Sequence, residues 1–158
     1  MTFDSLEPRL LETLNQINDE QRIVLTLLEQ QHDAMIQRDL ARLGELATEL
    51  VNRAEQLQNL EQHRATVTRQ IAAQHDGLAE DASLQEIAAK SADPDSLMDV
   101  RQRLLDTQQR VTEARDRNQT LASNVLEAND AALRNLMDAL RDYGYGPGDN
   151  PRVVDRRA

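Results

Sequence analysis

Glu29-Gln30-Gln31-His32 is the stretch of this sequence whose residue types and spacing best match a metal-ligand motif. A Glu-x-x-His sets both side chains on one helix face, and in di-iron bundles two such motifs and two further Glu residues converge on the metals. Here the pattern occurs once, because His63 and His75 have no acid three residues before them. One His with scattered acids falls short of that ligand set, so Glu29 and His32 read as parts of a solvated helix face. No nucleophile stands out by spacing, and no Gly-rich loop opens a helix where a phosphate could sit. The glycines from Gly144 to Gly148 follow a helical stretch instead of preceding one. Without cysteine, disulfides and thiolate chemistry are excluded. The expectation is a protein that is not an enzyme and holds no metal or cofactor.

The composition says what kind of scaffold remains. The chain has 158 residues, enough for one domain, of which 39% are hydrophobic, 29% charged and only 2% aromatic. The aromatics are Phe3, Tyr143 and Tyr145, so the interior must be built from Leu, Ile, Val, Met and Ala. Gly (5) and Pro (4) are scarce and β-branched residues do not cluster, which argues against a sandwich or barrel. Long helices rich in Ala, Leu, Glu, Gln and Arg are the alternative. The net charge is −10, and the single Lys, Lys90, accompanies Arg residues dispersed among acids. No basic stripe exists to neutralise phosphates, so nucleic acid and an anionic membrane surface are not expected partners. The longest apolar run, Ile23-Val24-Leu25 followed by Leu27-Leu28, is far short of a membrane span. The first residues, Met1 to Ser5, lack the basic and apolar regions of a secretory signal. A cytoplasmic protein is expected.

Periodicity and start signals divide the chain into three long helices and a short one. The first spans Leu6 to Gln37, with Pro8 in its first turn and a stripe of Leu10, Leu14, Ile17, Gln21, Val24, Leu28, Gln31 and Met35. After Arg38, Asp39 caps a second helix from Leu40 to Gln74. Its stripe is Leu43, Leu46, Leu50, Ala54, Leu57, Leu60, Arg64, Val67 and Ile71, and Gly77 stops it. Ser83-Leu84-Gln85-Glu86 is a capping box that opens a short helix from Leu84 to about Lys90. Asp93-Pro94-Asp95 then starts a helix with no Gly or Pro before Asp142, about 70 Å long at about 1.5 Å per residue. The expected fold is all-α, an antiparallel bundle of three long helices with one short helix, occupying residues 1–148, followed by a disordered polar tail at 149–158. The last helix exceeds its neighbours, so part of it should project from the bundle or lie against something else.

That helix carries the clearest functional signal. Near Val100, Leu104, Val111 and Ala114 its apolar arc is narrow. Further on, Leu121, Val125, Ala128, Ala132, Leu136 and Ala139 form one stripe. Leu126, Leu133, Met137 and Leu140 form a second, rotated roughly 80 to 100° on the helical wheel. Two readings of the second stripe stand side by side: it packs within the chain or in a homodimer, or it forms a hydrophobic groove for a partner helix. Asn118 and Asn129 lie in or near the arc, either fixing register or hydrogen-bonding the backbone of a bound peptide.

The order of these features resembles the flagellar export chaperones of the FlgN family. Leu27-Leu28-Glu29-Gln30-Gln31-His32-Asp33-Ala34-Met35 is similar to the family's "LLExExxAL" opening. Arg38-Asp39, Leu43 and Leu46, Leu60-Glu61 and Arg64 continue the match, and Asn118 and Leu121, with Asn124 and Asn129, resemble its Asn-and-Leu stretch. The Tyr-Gly residues after the last helix look like its Tyr-Gly-x-x-Gly ending. The resemblance implies a chaperone that binds the C-terminal helical segments of hook-associated, hook–filament junction proteins, prevents their premature assembly and delivers them to the flagellar export apparatus. On that reading the partner-binding residues are Asn118, Leu121, Val125, Leu126, Asn129, Leu133, Leu136, Met137 and Leu140, and Tyr145, then Tyr143, contacts the export gate. The competing reading from another class is a structural coiled-coil homo-oligomer without a client.

Overall fold

The computed structural model describes residues 3–142. They form four helices and no strand: α1 (Phe3–Gln37), α2 (Leu40–Gln74), α3 (Leu84–Ala89) and α4 (Pro94–Asp142). The expected all-α class, helix number and boundaries therefore stand, with α1 starting three residues earlier than Leu6. The expected tail at 149–158 and the Tyr-Gly stop lie outside the described residues. The chain divides into two compact units, Met1–Asn118 and Gln119–Ala158.

Local chemistry sets the ends of the helices in the first unit. α1 closes with a Schellman arrangement: the Asp39 N–H donates to the Ala34 carbonyl at 2.9 Å and the Arg38 N–H to the Met35 carbonyl at 3.2 Å. This geometry requires a left-handed residue between them, and Arg38 takes it with φ at 57°. Asp39 then caps α2 by accepting the Arg42 N–H at 3.0 Å. After α2, Gly77 occupies the left-handed region at φ 92°, at no steric cost. The capping box of α3 is reciprocal: Glu86 N–H donates to Ser83 Oγ at 3.2 Å, and Ser83 N–H donates to Glu86 Oε2 at 2.6 Å. That bond from the Ser83 backbone holds the Glu86 carboxyl below its ordinary range. Asp93, at the start of α4, accepts from Ser96 Oγ at 2.6 Å and Ser96 N–H at 3.3 Å, and the hydroxyl bond lowers its carboxyl in the same way.

Cross-helix contacts give the topology of this unit. Pairing of Glu20 with Arg53 and of Gln30 with Arg42 makes α1 and α2 antiparallel. Contacts of Asn15 with Arg103, Asn18 with Thr107 and Leu28 with Asn118 keep a separation of 88 to 90 residues, so α1 and α4 run parallel. The result is an up–down–up bundle in which successive long helices are antiparallel. Its main core gathers Leu6, Leu10 and Leu14 of α1, Val67 and Ile71 of α2, Ala82, Ile87 and Ala88 around α3, and Leu97 and Val100 of α4. A second cluster joins Leu27 and Ala34 to Leu46, with Leu43 and Leu50 partly buried. Each Leu fully removed from water contributes roughly 1.5–3 kcal/mol.

The two clusters are separated by a polar layer. Thr107 Oγ1 donates to Asn18 Oδ1 at 2.9 Å, both side chains being buried, and the half-buried Arg53 pairs with Glu20 at 3.1 Å. Gln21, Val24, Gln31 and Met35 of the expected α1 stripe are half-buried, and Ala54 of the expected α2 stripe is exposed. Glu7 anchors the first turns: its Oε1 accepts from the Ser91 hydroxyl and from the Asp93 N–H at 3.3 Å, tying α1 to the link that precedes α4.

Arg38 lacks the freedom of glycine at a left-handed position, where an L side chain costs roughly 1–2 kcal/mol. Arg38→Gly is expected to stabilise the bundle by about 0.5–1 kcal/mol, the relief exceeding the added unfolded-state entropy. Urea denaturation checks this, with an unchanged slope and a raised midpoint as the expected result.

Candidate partner-binding face

α4 is buried along a single seam in the first unit. Leu97, Val100, Thr107, Ala114 and Asn118 are its buried residues, and Leu104 and Val111 are half-buried between them. These positions alternate steps of three and four, which keeps them on one face. Leu121, Val125, Ala128, Ala132, Leu136 and Ala139 continue that rhythm in sequence.

The side chains from Val125 to Leu140 behave differently. Val125, Leu126, Leu133, Leu136, Met137 and Leu140 are between 37% and 64% exposed. Val125 and Leu136 of the first stripe are thus exposed together with Leu126, Leu133, Met137 and Leu140 of the second. Leu121 is half-buried, unlike the other apolar candidates.

Within the second unit the exposed large side chains span about 120° of the helical wheel, from Val125 to Met137. Asn129 falls in the middle of that arc and is itself exposed. Glu127, Asp130, Arg134, Asp138 and Arg141 all lie on one side of the arc, while Ala128, Ala132 and Ala139 line the other without a charge. An arc of this kind is suited to bury a helix along its length.

Asn118 does not join this face. It is 5% exposed, and its Nδ2 donates to the Leu28 carbonyl at 2.8 Å and to Gln31 Oε1 at 3.0 Å. Of the two roles weighed for it, register fixing between α1 and α4 is the one its bonds perform. The Asn18–Thr107 pair does the same lower in the seam and was not singled out from the sequence. Its signal is Thr107, a polar residue inside the apolar rhythm between Leu104 and Val111.

His32 Nδ1 sits 3.6 Å from Asp33 Oδ1, its neighbour in sequence. Among the described residues no group of three His, Asp or Glu side chains could hold a metal ion. No helix among them is long and apolar enough to cross a membrane. The cleft lined by Asn18, Arg22, Arg103, Asp106, Arg110 and Glu113 is open and mixed in charge, with no convergent set of one sign. Tyr143 and Tyr145 lie outside the described residues.

Residues 1–152 match the family model FlgN, described as FlgN protein. No curated protein and no solved structure matches the chain.

Two outcomes test this division of labour. Asn118→Ala should lower stability by about 1 kcal/mol and Asn118→Asp by more, because a carboxylate would face the Leu28 carbonyl; Asn129→Ala should stay within about 0.5 kcal/mol. Thermal melts of the three variants read the difference. His32→Ala should also stay within about 0.5 kcal/mol, and elemental analysis should give the same metal content for it and the parent.

Proposed function

The chain belongs to the FlgN family of flagellar export chaperones, and on that premise we propose that it acts in the cytoplasm on the C-terminal helical segments of the hook–filament junction proteins. It covers those segments, keeps them from assembling early and hands them to the flagellar export apparatus. The observation that carries the reading is the uncovered apolar arc on α4 formed by Val125, Leu126, Leu133, Leu136, Met137 and Leu140. A client helix laid along it gains from each Leu removed from water, roughly 1.5–3 kcal/mol for full burial. Ordering of the client offsets part of that gain, which leaves a complex able to release its cargo at the gate. Leu121 borders the face, and Asn129, at its centre, has amide groups free to bond polar groups of the client. Asn118 is left out of the client site, since its amide is engaged inside the bundle. Nothing in this role calls for catalysis or a cofactor. For Tyr143 and Tyr145 the export-gate contact rests on the family resemblance alone.

Leu133→Glu separates this function from folding. Leu133 is 58% exposed, so the variant should melt like the parent. Its carboxylate, buried against a client without a partner, should abolish binding. Melting beside calorimetric titration with the C-terminal segment of a junction protein decides: unfolding would make the face core, and intact binding would move the site elsewhere. For the tyrosines, a Tyr143→Ala/Tyr145→Ala double variant should bind client as the parent does while secretion of junction proteins falls. Normal secretion would remove that role.

A further inference from the structure

We infer that Met137 is an oxidation site, at which peroxide turns part of the exposed face of α4 from apolar to polar. The consequence for a client rests on the function proposed above. With no Cys and no Trp in the chain, methionine thioethers are its most readily oxidised groups. The methionines are Met1, Met35, Met98 and Met137, and the last three fall within the described residues. Met98 is half-buried and packs against the main core, and Met35 is half-buried near the end of α1. Met137 is 51% exposed, so of these three it is the one that meets a dissolved oxidant without any opening of the bundle.

Its surroundings suit the product as well as the reaction. On the helical wheel Met137 stands at the border between the apolar arc and the charged side. Leu133 lies four residues before it and Leu140 three after, while Arg134 lies three before and Arg141 four after. Residues at these spacings are neighbours on a helix surface. Hydrogen peroxide gives one oxygen to the sulfur lone pair: an S–O bond forms, the O–O bond breaks, the sulfur loses two electrons and the second oxygen leaves as water. The sulfoxide oxygen is a hydrogen-bond acceptor, and both guanidinium groups can turn to it. Their present contacts are exposed, local and easily exchanged: Arg141 Nη1 is 3.8 Å from Asp138, and Arg134 Nε donates to the Asp130 backbone carbonyl at 3.4 Å. The oxidised side chain is thus favoured in water at the rim, and pressing it under a client beside Leu133 and Leu140 strands a polar oxygen in an apolar contact. A methionine sulfoxide reductase reverses the step: a dithiol becomes a disulfide, and the thioether and water are returned.

Brief treatment of the full chain with hydrogen peroxide, ended with catalase, tests this. Peptide mapping by mass spectrometry should show Met137 gaining oxygen at least about fivefold faster than Met35 and Met98. Titrated with the C-terminal segment of a junction protein, the oxidised parent should bind about tenfold more weakly than the untreated one, with unchanged circular dichroism, and recover after reductase treatment. Met137→Leu, whatever its starting affinity, should bind equally before and after peroxide. Oxidation of Met35 or Met98 ahead of Met137 would overturn the inference. So would an oxidised parent that binds like the untreated one, or a Met137→Leu chain that peroxide weakens as much as the parent. An untreated parent that does not bind the segment would overturn the client reading, and the switch in binding with it.

Discussion

Asn118 gives its amide protons to the Leu28 carbonyl and to Gln31, and much of the molecule depends on this contact. Two parallel helices lined by aliphatic side chains can slide by a turn at little loss of burial, because Leu and Ala repeat along both. A buried amide cannot slide, since leaving its acceptor strands a polar group in an apolar seam. Together with the Asn18–Thr107 pair, it locks α4 to α1 at a separation of 88 to 90 residues. That register decides which residues of α4 become core and which stay in water.

A chain almost without aromatics has few other ways to specify such a lock. Its core side chains are Leu, Ile, Val and Ala, which pack interchangeably. The bundle therefore concentrates aliphatic burial in two clusters and places polar contacts between them. The same economy of large side chains in the core makes the six exposed on the last part of α4 conspicuous. On the proposed reading, their burial comes from another polypeptide, the client.

Helix number, ends and caps were readable from residues alone, because each signal is local. Asp39, the Ser83–Glu86 box and Asp93 act within one turn of where they stand, and a seam of alternating threes and fours marks a buried face wherever it lies. The all-α class followed from composition and periodicity, and the chaperone family from motif order along the chain. Other matters needed the folded bundle. Apolar periodicity continues through Leu121, Val125 and Leu136, so it cannot say where burial stops. Nor can it assign Asn118 to the interior and Asn129 to the surface. Both sit on the apolar side of one helix, and only the presence of the Leu28 carbonyl beside one of them makes the difference.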